Sequence, residues 1–509
     1  MLTVAIRRAA TVRPDGWAII SGTERTTWRE MPRRIASLAS ALNAAGLRPG
    51  DRVATLALNS PLYFELMLAV WWGGGVLVPL NTRLAYDELR YILEHSEARF
   101  LLTDDSFRAT AERTREAVGS LRSVIVVDED RRSDMLAASP IDDAQVALDE
   151  LACIFYTGGT TGLPKGVELT HSNLAFAASN MQRDLHHDSE TVYLHTTPLF
   201  HLADFGIGLG VTLAAGAHSF LSHFSAAEVF SRLRTDGITH LQLVPTMLSM
   251  LLDAPERDYS LLRRVRTISY GTAPISQELL GRVLNAFRNV RIQQFYGMTE
   301  CSGACTCLLP EWHSTSGPKA GKLTSVGQPT SSFEIRIVDE QGCLCETGTV
   351  GEIQIRGPAV MRGYWRDPER TSDTIKDGWL RSGDAGYMDE EGFLFVADRI
   401  KDMIISGGEN IYSAEVEKTL SMHPAVSQCA VIGVPDERWG ERVHAVIVIK
   451  PGSVATPAEL DAHCRAHIAG YKVPRGYDIR TEPLPLSGVG KILKNRLRDE
   501  WLGISKRTR

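Results

Sequence analysis

The eleven residues Tyr156-Thr157-Gly158-Gly159-Thr160-Thr161-Gly162-Leu163-Pro164-Lys165-Gly166 concentrate four glycines, three threonines and one lysine. They follow the apolar run Leu151-Ala152-Cys153-Ile154-Phe155, which reads as a buried strand. A strand running into such a loop can bring several backbone N–H groups close to one anion, because glycine has no side chain to keep the anion away and tolerates positive φ. The threonines add hydroxyl donors and Lys165 adds a point charge. The chemistry this composition suits is phosphate binding. No Gly-Lys-Ser/Thr triplet closes the loop, so it is not a Walker A motif.

The loop resembles the phosphate-binding signature of the adenylate-forming enzymes, which include acyl-CoA synthetases, the adenylation domains of peptide synthetases and luciferases. The usual pattern is Thr-Ser-Gly-Thr-Thr-Gly-x-Pro-Lys-Gly; here Gly158 replaces the serine and removes one hydroxyl. The resemblance spans nearly the whole chain, residues 20–500, with its motifs in the family's order. It implies an acid–CoA ligase that uses ATP, Mg²⁺ and coenzyme A. A carboxylate resists a thiol because its leaving group would be oxide or hydroxide. Converting it to an anhydride with AMP supplies a better one. The enzyme then acts mainly by positioning and by neutralising charge.

What the family places at each motif can be carried onto this chain residue by residue. Thr157, Gly158, Gly159, Thr160, Thr161, Gly162 and Lys165 would hold the phosphates. In Tyr296-Gly297-Met298-Thr299-Glu300, the tyrosine would stack on adenine, Thr299 would contact the α-phosphate, and Glu300 would help hold Mg²⁺, a cation that prefers oxygen ligands. Gly271-Thr272-Ala273-Pro274 resembles the adenine-side loop. Asp384, in Arg381-Ser382-Gly383-Asp384, would accept hydrogen bonds from the ribose, with Arg399 as a second ribose contact and Lys401 at the hinge. Lys491, ending Pro483-Leu484-Pro485-Leu486-Ser487-Gly488-Val489-Gly490-Lys491, would bridge the substrate carboxylate and the α-phosphate. Lys494 lies nearby, but the Gly-Lys pair favours Lys491.

The second half-reaction needs a path for a thiol that is only a few per cent ionised at neutral pH. Gly407 and Gly408, in Ser406-Gly407-Gly408-Glu409-Asn410, match the loop that lines the pantetheine arm, and Trp439 and Lys472 belong to segments often near CoA. Pro198-Leu199-Phe200-His201 resembles the mouth of the acyl pocket, with His201 a gate or wall residue. Gly206, Gly208 and Gly210 leave room for a bulky acyl group or permit tight helix packing. Asp204 is read as pointing to solvent, the alternative being a polar group of the substrate. Thr272 stands where many relatives have glycine and would narrow the pocket. Two further readings within the family stay open: a half-reaction specialist that transfers a preformed acyl-AMP to CoA, and a standalone adenylation enzyme that loads a carrier protein.

These groups need elements to position them. A chain of 509 residues exceeds one core, so two or more domains are expected. Strand and helix patterns alternate through residues 1–300, for example Phe100-Leu101-Leu102-Thr103 and Ser123-Val124-Ile125-Val126-Val127, which points to doubly wound α/β sheets. From residue 320 the texture shifts to short alternating strands, a β-barrel-like subdomain. The charge density around Asp398-Arg399-Ile400-Lys401-Asp402 marks the boundary: a large N-terminal domain over 1–399 and a small, mobile α+β domain over 400–509. The net charge of −6 argues against nucleic-acid binding. Eight cysteines without a Cys-x-x-Cys pair suit reduced thiols in the cytoplasm rather than zinc or disulfides. The most apolar stretch, Leu66–Leu80, is too short to span a bilayer and reads as helix, turn and strand. A homodimer is compatible with all of this.

Overall fold

The computed structural model describes residues 2–157, 164–406, 409–486 and 492–503. It is an α/β protein with a large N-terminal part built on mixed sheets and a smaller C-terminal part. Contacts divide it into two units, one of residues 1–272, 279–335 and 355–380, the other of residues 273–278, 336–354 and 381–509.

Two sheets organise the first unit among the described residues. The larger runs in the order Gln328–Pro329, Thr306–Leu308, Arg291–Tyr296, Thr267–Gly271, His240–Leu243, Val192–His195, Ala217–Phe220, Trp17–Ser21, Glu24–Thr27. Its central pairs are parallel and its outer pairs antiparallel. The second runs in the order Gly363–Tyr364, Lys165–Thr170, Leu151–Thr157, Val76–Pro79, Arg52–Leu56, Phe100–Thr103, Ser123–Val126, again parallel inside and antiparallel at one edge. The antiparallel edges have a simple cause. Leu151–Thr157 and Lys165–Thr170 are joined by too few residues for a crossover helix, so they pair as a hairpin.

Local chemistry explains the flanking helices. Helix Pro61–Trp72 starts at Ser60, whose side chain accepts from Tyr63 N–H, with proline in the first position. It is apolar on nearly all sides because it is buried on nearly all sides, and the strand Val76–Pro79 follows Gly73-Gly74-Gly75. Helix His171–Asp184 begins with a reciprocal cap: Thr170 Oγ accepts from Asn173 N–H at 3.1 Å, and Asn173 Oδ1 accepts from Thr170 N–H at 2.9 Å. No helix among the described residues is long and apolar enough to cross a membrane.

In the second unit, Trp379–Met388 and Leu394–Arg399 form an antiparallel hairpin in which Asp384 faces Arg399. The C-terminal sheet runs in the order Glu409–Ile411, Ile404–Ser406, Gly440–Ile449, Val426–Asp436, with Gly476–Arg480 parallel to Gly440–Ile449. Helices Ser413–Ser421 and Pro457–His467 bury Val416, Leu420, Leu460 and Cys464 with Val431, Val443, Ala445 and Ile447 of the sheet.

Asp204 departs from expectation. It is fully buried in the first turn of helix Leu202–Leu213, so it meets neither solvent nor substrate. Its carboxylate accepts from Tyr193 Oη at 2.9 Å, from Thr197 Oγ at 3.0 Å, and from Nδ1 of His195. The far nitrogen of His195 lies 3.0 Å from His218 Nδ1, and His218 Nε2 lies 3.2 Å from Thr212 Oγ. Every polar atom named here has a partner, as burial demands. The network also explains a glycine: a Cβ on Gly208 would sit 2.8 Å from the His195 ring. Gly210 is required by helix Leu202–Leu213 packing on helix His171–Asp184, where a Cβ would come within 3.0 Å of Ala178 O. At Gly206 a Cβ would meet only Ser302 O, at 4.0 Å. Two of the three glycines are therefore required by packing, while buried Gly206 has room for a methyl group.

Removing one member of a fully buried hydrogen-bond network leaves its partners unsatisfied. Asp204→Ala is expected to lower the unfolding free energy of the first unit by about 3–5 kcal/mol, read by urea titration of its tryptophan fluorescence. A loss under about 1 kcal/mol would contradict the network's role in stability.

Candidate functional site

Lys165 opens its strand directly after the glycine-rich loop, and the neighbouring strand Gly363–Tyr364 pairs with it in a register that sets Tyr364 opposite Val167. That register brings three side chains together. Lys165 Nζ lies 3.0 Å from Glu300 Oε1 and donates to Tyr364 Oη at 2.5 Å. Tyr364 Oη in turn donates to Glu300 Oε1 at 2.9 Å. The lysine also sits 4.3 Å from the centre of the tyrosine ring. Burial and the adjacent Glu300 carboxylate push the Tyr364 phenol well above its ordinary range, so it stays protonated and keeps its hydrogen bond to Glu300. The result is a lysine and a carboxylate held together where strand Lys165–Thr170 begins.

Glu300 is held by the turn that carries it. Strand Arg291–Tyr296 ends at Tyr296, and a single 3₁₀ turn covers Thr299–Cys301. The backbone folds back so tightly that a Cβ on Gly297 would lie 1.9 Å from Gly303 O, so only glycine fits. Glu300 O accepts from Met361 N–H at 2.8 Å, which ties the turn to the Gly363–Tyr364 segment.

Gly271 closes strand Thr267–Gly271, where a Cβ would meet Phe295 O at 2.5 Å. Thr272 follows with φ of +67°. A β-branched residue there is strained, and this is the backbone reason that glycine suits the position. Its buried hydroxyl has no partner among the described residues, nor does that of Thr157 at the end of strand Leu151–Thr157. Ala273 is half-buried and Pro274 exposed. His201 caps helix Leu202–Leu213, its ring centre 4.5 Å from that of Phe200. Asn59 holds this segment by donating to Thr197 O at 2.7 Å and accepting from Leu199 N–H at 2.9 Å.

In the second unit, Arg399 Nε lies 2.7 Å from the buried Asp384 carboxylate, the register pair of the hairpin. Lys401 is exposed, in the 3₁₀ turn Ile400–Asp402. Trp439 is flanked by two guanidinium groups, Arg438 and Arg475, each 4.8 Å from its ring centre. Lys472 donates to both oxygens of Glu415 at 2.7 Å. Gly158, Gly159, Thr160, Thr161, Gly162, Gly407, Gly408 and Lys491 lie outside the described residues.

Sequence reasoning did not find Tyr364. Its only local signal is a Gly-Tyr-Trp triplet, and nothing in its spacing points to Lys165 or Glu300. The donor set also fits a magnesium ion in a particular way. No cluster of three or more His, Cys, Asp or Glu side chains occurs among the described residues, so Glu300 would hold the ion together with substrate phosphates, the usual arrangement for Mg²⁺. The strain at Thr272 yields a stability test. Thr272→Gly should raise the stability of the first unit by about 1 kcal/mol, the relieved strain outweighing glycine's entropy cost, and thermal melting would show it. A fall in melting temperature would mean that the threonine side chain is held by favourable contacts.

Comparison with known proteins shows the family. Residues 6–365 match the family described as AMP-binding enzyme, and residues 415–491 match the AMP-binding enzyme C-terminal domain. The chain is 40% identical to a feruloyl-CoA synthase of Amycolatopsis sp over 96% of this chain and 97% of that protein. It is 35% identical to the fatty acid–[acyl-carrier-protein] ligase ScoC of Streptomyces coeruleorubidus, over 97% and 95%. Among solved structures it resembles the o-succinylbenzoate CoA synthetase of Bacillus subtilis. With the acyl-adenylate intermediate that structure gives a TM-score of 0.87 at 32% identity, over 97% of this chain and 98% of the other. With ATP and magnesium the TM-score is 0.86 at 32% identity, over 97% and 99%. With these matches over both of its parts, the chain belongs to the AMP-binding enzyme family of adenylate-forming enzymes, as an acyl-CoA synthetase.

Proposed function

We propose that the chain ligates a carboxylic acid to coenzyme A through an acyl-adenylate, with ATP and Mg²⁺, and that Lys165, Tyr364 and Glu300 form the charge centre of the first step. The observation that carries this reading is the contact of Lys165 with Glu300 through and beside Tyr364. A cation and an anion already held in place can exchange partners when a nucleotide arrives, Lys165 turning to phosphate oxygen and Glu300 to the metal. Little reorganisation is then needed when charge develops. A bound magnesium ion would supply Lewis-acid neutralisation of the phosphates. Thr157, Gly158, Gly159, Thr160, Thr161 and Gly162 would donate to the phosphates, Thr299 to the α-phosphate, Tyr296 would stack on adenine beside Gly271–Pro274, and Asp384 with Arg399 would hold the ribose.

In the first step the substrate carboxylate attacks the α-phosphorus, an O–P bond forms, and pyrophosphate leaves. Lys491 would neutralise both the carboxylate and the α-phosphate. In the second step the thiol of CoA loses its proton and attacks the acyl carbonyl, and AMP leaves. Gly407 and Gly408 would let the pantetheine arm pass, with Trp439 and Lys472 nearby. The domain boundary at 399/400, with Lys401 as the pivot, would let residues 400–509 present Lys491 first and the glycine pair second. The eight free cysteines suit the cytoplasm.

For the acid, we favour an aromatic one of the hydroxycinnamate class. The identity to the feruloyl-CoA synthase supports this. His201 would line the mouth of the acyl pocket. A panel of ferulate, 2-succinylbenzoate and medium- and long-chain fatty acids, with ATP and either CoA or a carrier protein, tests it. The highest kcat/KM is expected for ferulate with CoA. Preference for a fatty acid would overturn the substrate class, and preference for the carrier protein would overturn the acceptor. Pyrophosphate release without CoA is expected despite Gly158; its absence would favour a transfer-only enzyme.

Lys491→Ala should abolish adenylation and spare thioester formation from supplied acyl-AMP, and equal loss of both would contradict the role given to it. Tyr364→Phe should slow pyrophosphate release by about ten- to a hundredfold, the worth of hydrogen bonds to charged partners. Unchanged release would remove Tyr364 from the charge centre.

A further inference from the structure

Residues 487–491 lie outside the described residues, but the chain on either side of them is well placed. Leu486 and Ile492 form an antiparallel bridge, and Leu493 N–H donates to Pro485 O at 2.8 Å. Leu484 and Leu497 are buried with Ala430, Ile432, Val434 and Val446. The two flanks therefore close into a stem anchored on the C-terminal sheet.

Lys494 is the first residue of the helix that leaves this stem, Lys494–Trp501. A cation at a helix N-terminus opposes the macrodipole, so helix formation does not explain it. Its contacts do. Nζ lies 2.7 Å from Glu417 Oε1 and donates to Ser413 Oγ at 2.5 Å. Ser413 Oγ donates to Asp398 Oδ2 at 2.5 Å. Asp398 also accepts from Ala414 N–H at 3.2 Å and from Arg399 N–H at 2.7 Å, while Glu417 accepts from Val431 N–H at 2.7 Å. Lys494 and Glu417 are largely buried, with side chains 17% and 21% exposed. Burial works against the lysine's charge, but the carboxylates of Glu417 and Asp398 outweigh it and raise its pKa. The lysine is therefore a fixed cation that joins three segments: the stem, the start of helix Ser413–Ser421, and Asp398, which is bonded to the residue that pairs with Asp384.

We propose that Lys494 is a positioning residue for adenylation, fixing the stem of the Lys491 segment to Asp398 and hence to the Asp384–Arg399 pair. This rests on the reading of Lys491 as the adenylating lysine. A lysine that must reach two anionic groups at once depends on the placement of its backbone, and misplacement by about 1 Å can cost a hundredfold. The role differs from general support of the C-terminal fold, because CoA transfer uses the same unit but not this stem.

The test compares Lys494→Met, Lys494→Arg and Lys491→Ala in the full-length enzyme. It uses the panel acid with the highest wild-type turnover and the synthetic adenylate of that acid. Pyrophosphate release without CoA reads adenylation, and thioester formation from the adenylate reads transfer. Lys494→Met should lower the kcat of adenylation about tenfold or more with little change in KM, leave transfer within about twofold, and be restored by Lys494→Arg. Unchanged adenylation, or equal loss of both half-reactions, would overturn the proposal. If Lys494→Met does not fold, Ser413→Ala cuts the link to Asp398 without burying an unpaired charge. It should give the same split at about threefold, and no split there would also overturn the proposal. Full adenylation by Lys491→Ala would instead overturn the reading beneath it.

Discussion

A strand of two residues sets the charge balance of the first unit. Gly363–Tyr364 pairs with the strand that follows the phosphate-type loop, and so places a phenol between Lys165 and Glu300. At 3.0 Å the bare attraction of the two charges is about 5 kcal/mol for an effective dielectric near 20, before the cost of taking them out of water. The contact therefore persists only because burial is partial and the tyrosine hydroxyl satisfies both partners. Such a pair is poorly suited to being a pure stabiliser and well suited to exchanging partners.

A second group of polar side chains in the first unit is held differently. Asp204, His195, His218 and Tyr193 form a closed buried network, and Asn59 clamps the strand end that leads to His201. Polar groups are expensive inside a core unless each finds a partner, so a satisfied network permits one arrangement of the backbone. It also dictates composition: Gly208 is small because His195 is present.

The second unit repeats the principle with ion pairs. Asp384–Arg399 joins the two strands of one hairpin, while Glu415–Lys472 and Glu417–Lys494 join segments far apart in sequence. The first is set by hairpin register and the others by helix Ser413–Ser421, whose first two turns carry both glutamates. Ser413 at the start of that helix and Asp398 of the hairpin link two of the three pairs into one chain of hydrogen bonds. Cations and anions in this way tie the hairpin, the helix and the C-terminal helix of the unit together.

The chain's order of motifs determined the family, the chemistry and the alternation of strands and helices, because glycine spacing, cap residues and apolar period are local properties. Helix His171–Asp184 and the strands Phe100–Thr103 and Arg291–Tyr296 begin where their residues require. Tertiary structure decided what local pattern cannot encode. Tyr364 joins Lys165 and Glu300 through strand pairing across a long separation. Asp204 turned inward because three donors from other elements surround it, against a local reading that sent it to solvent. Lys494, set aside in the sequence for Lys491, gained a definite place only when Glu417, Ser413 and Asp398 were brought around it. Each of these depends on which segments become neighbours, and that is fixed by burial and register over the whole fold rather than by the residues on either side.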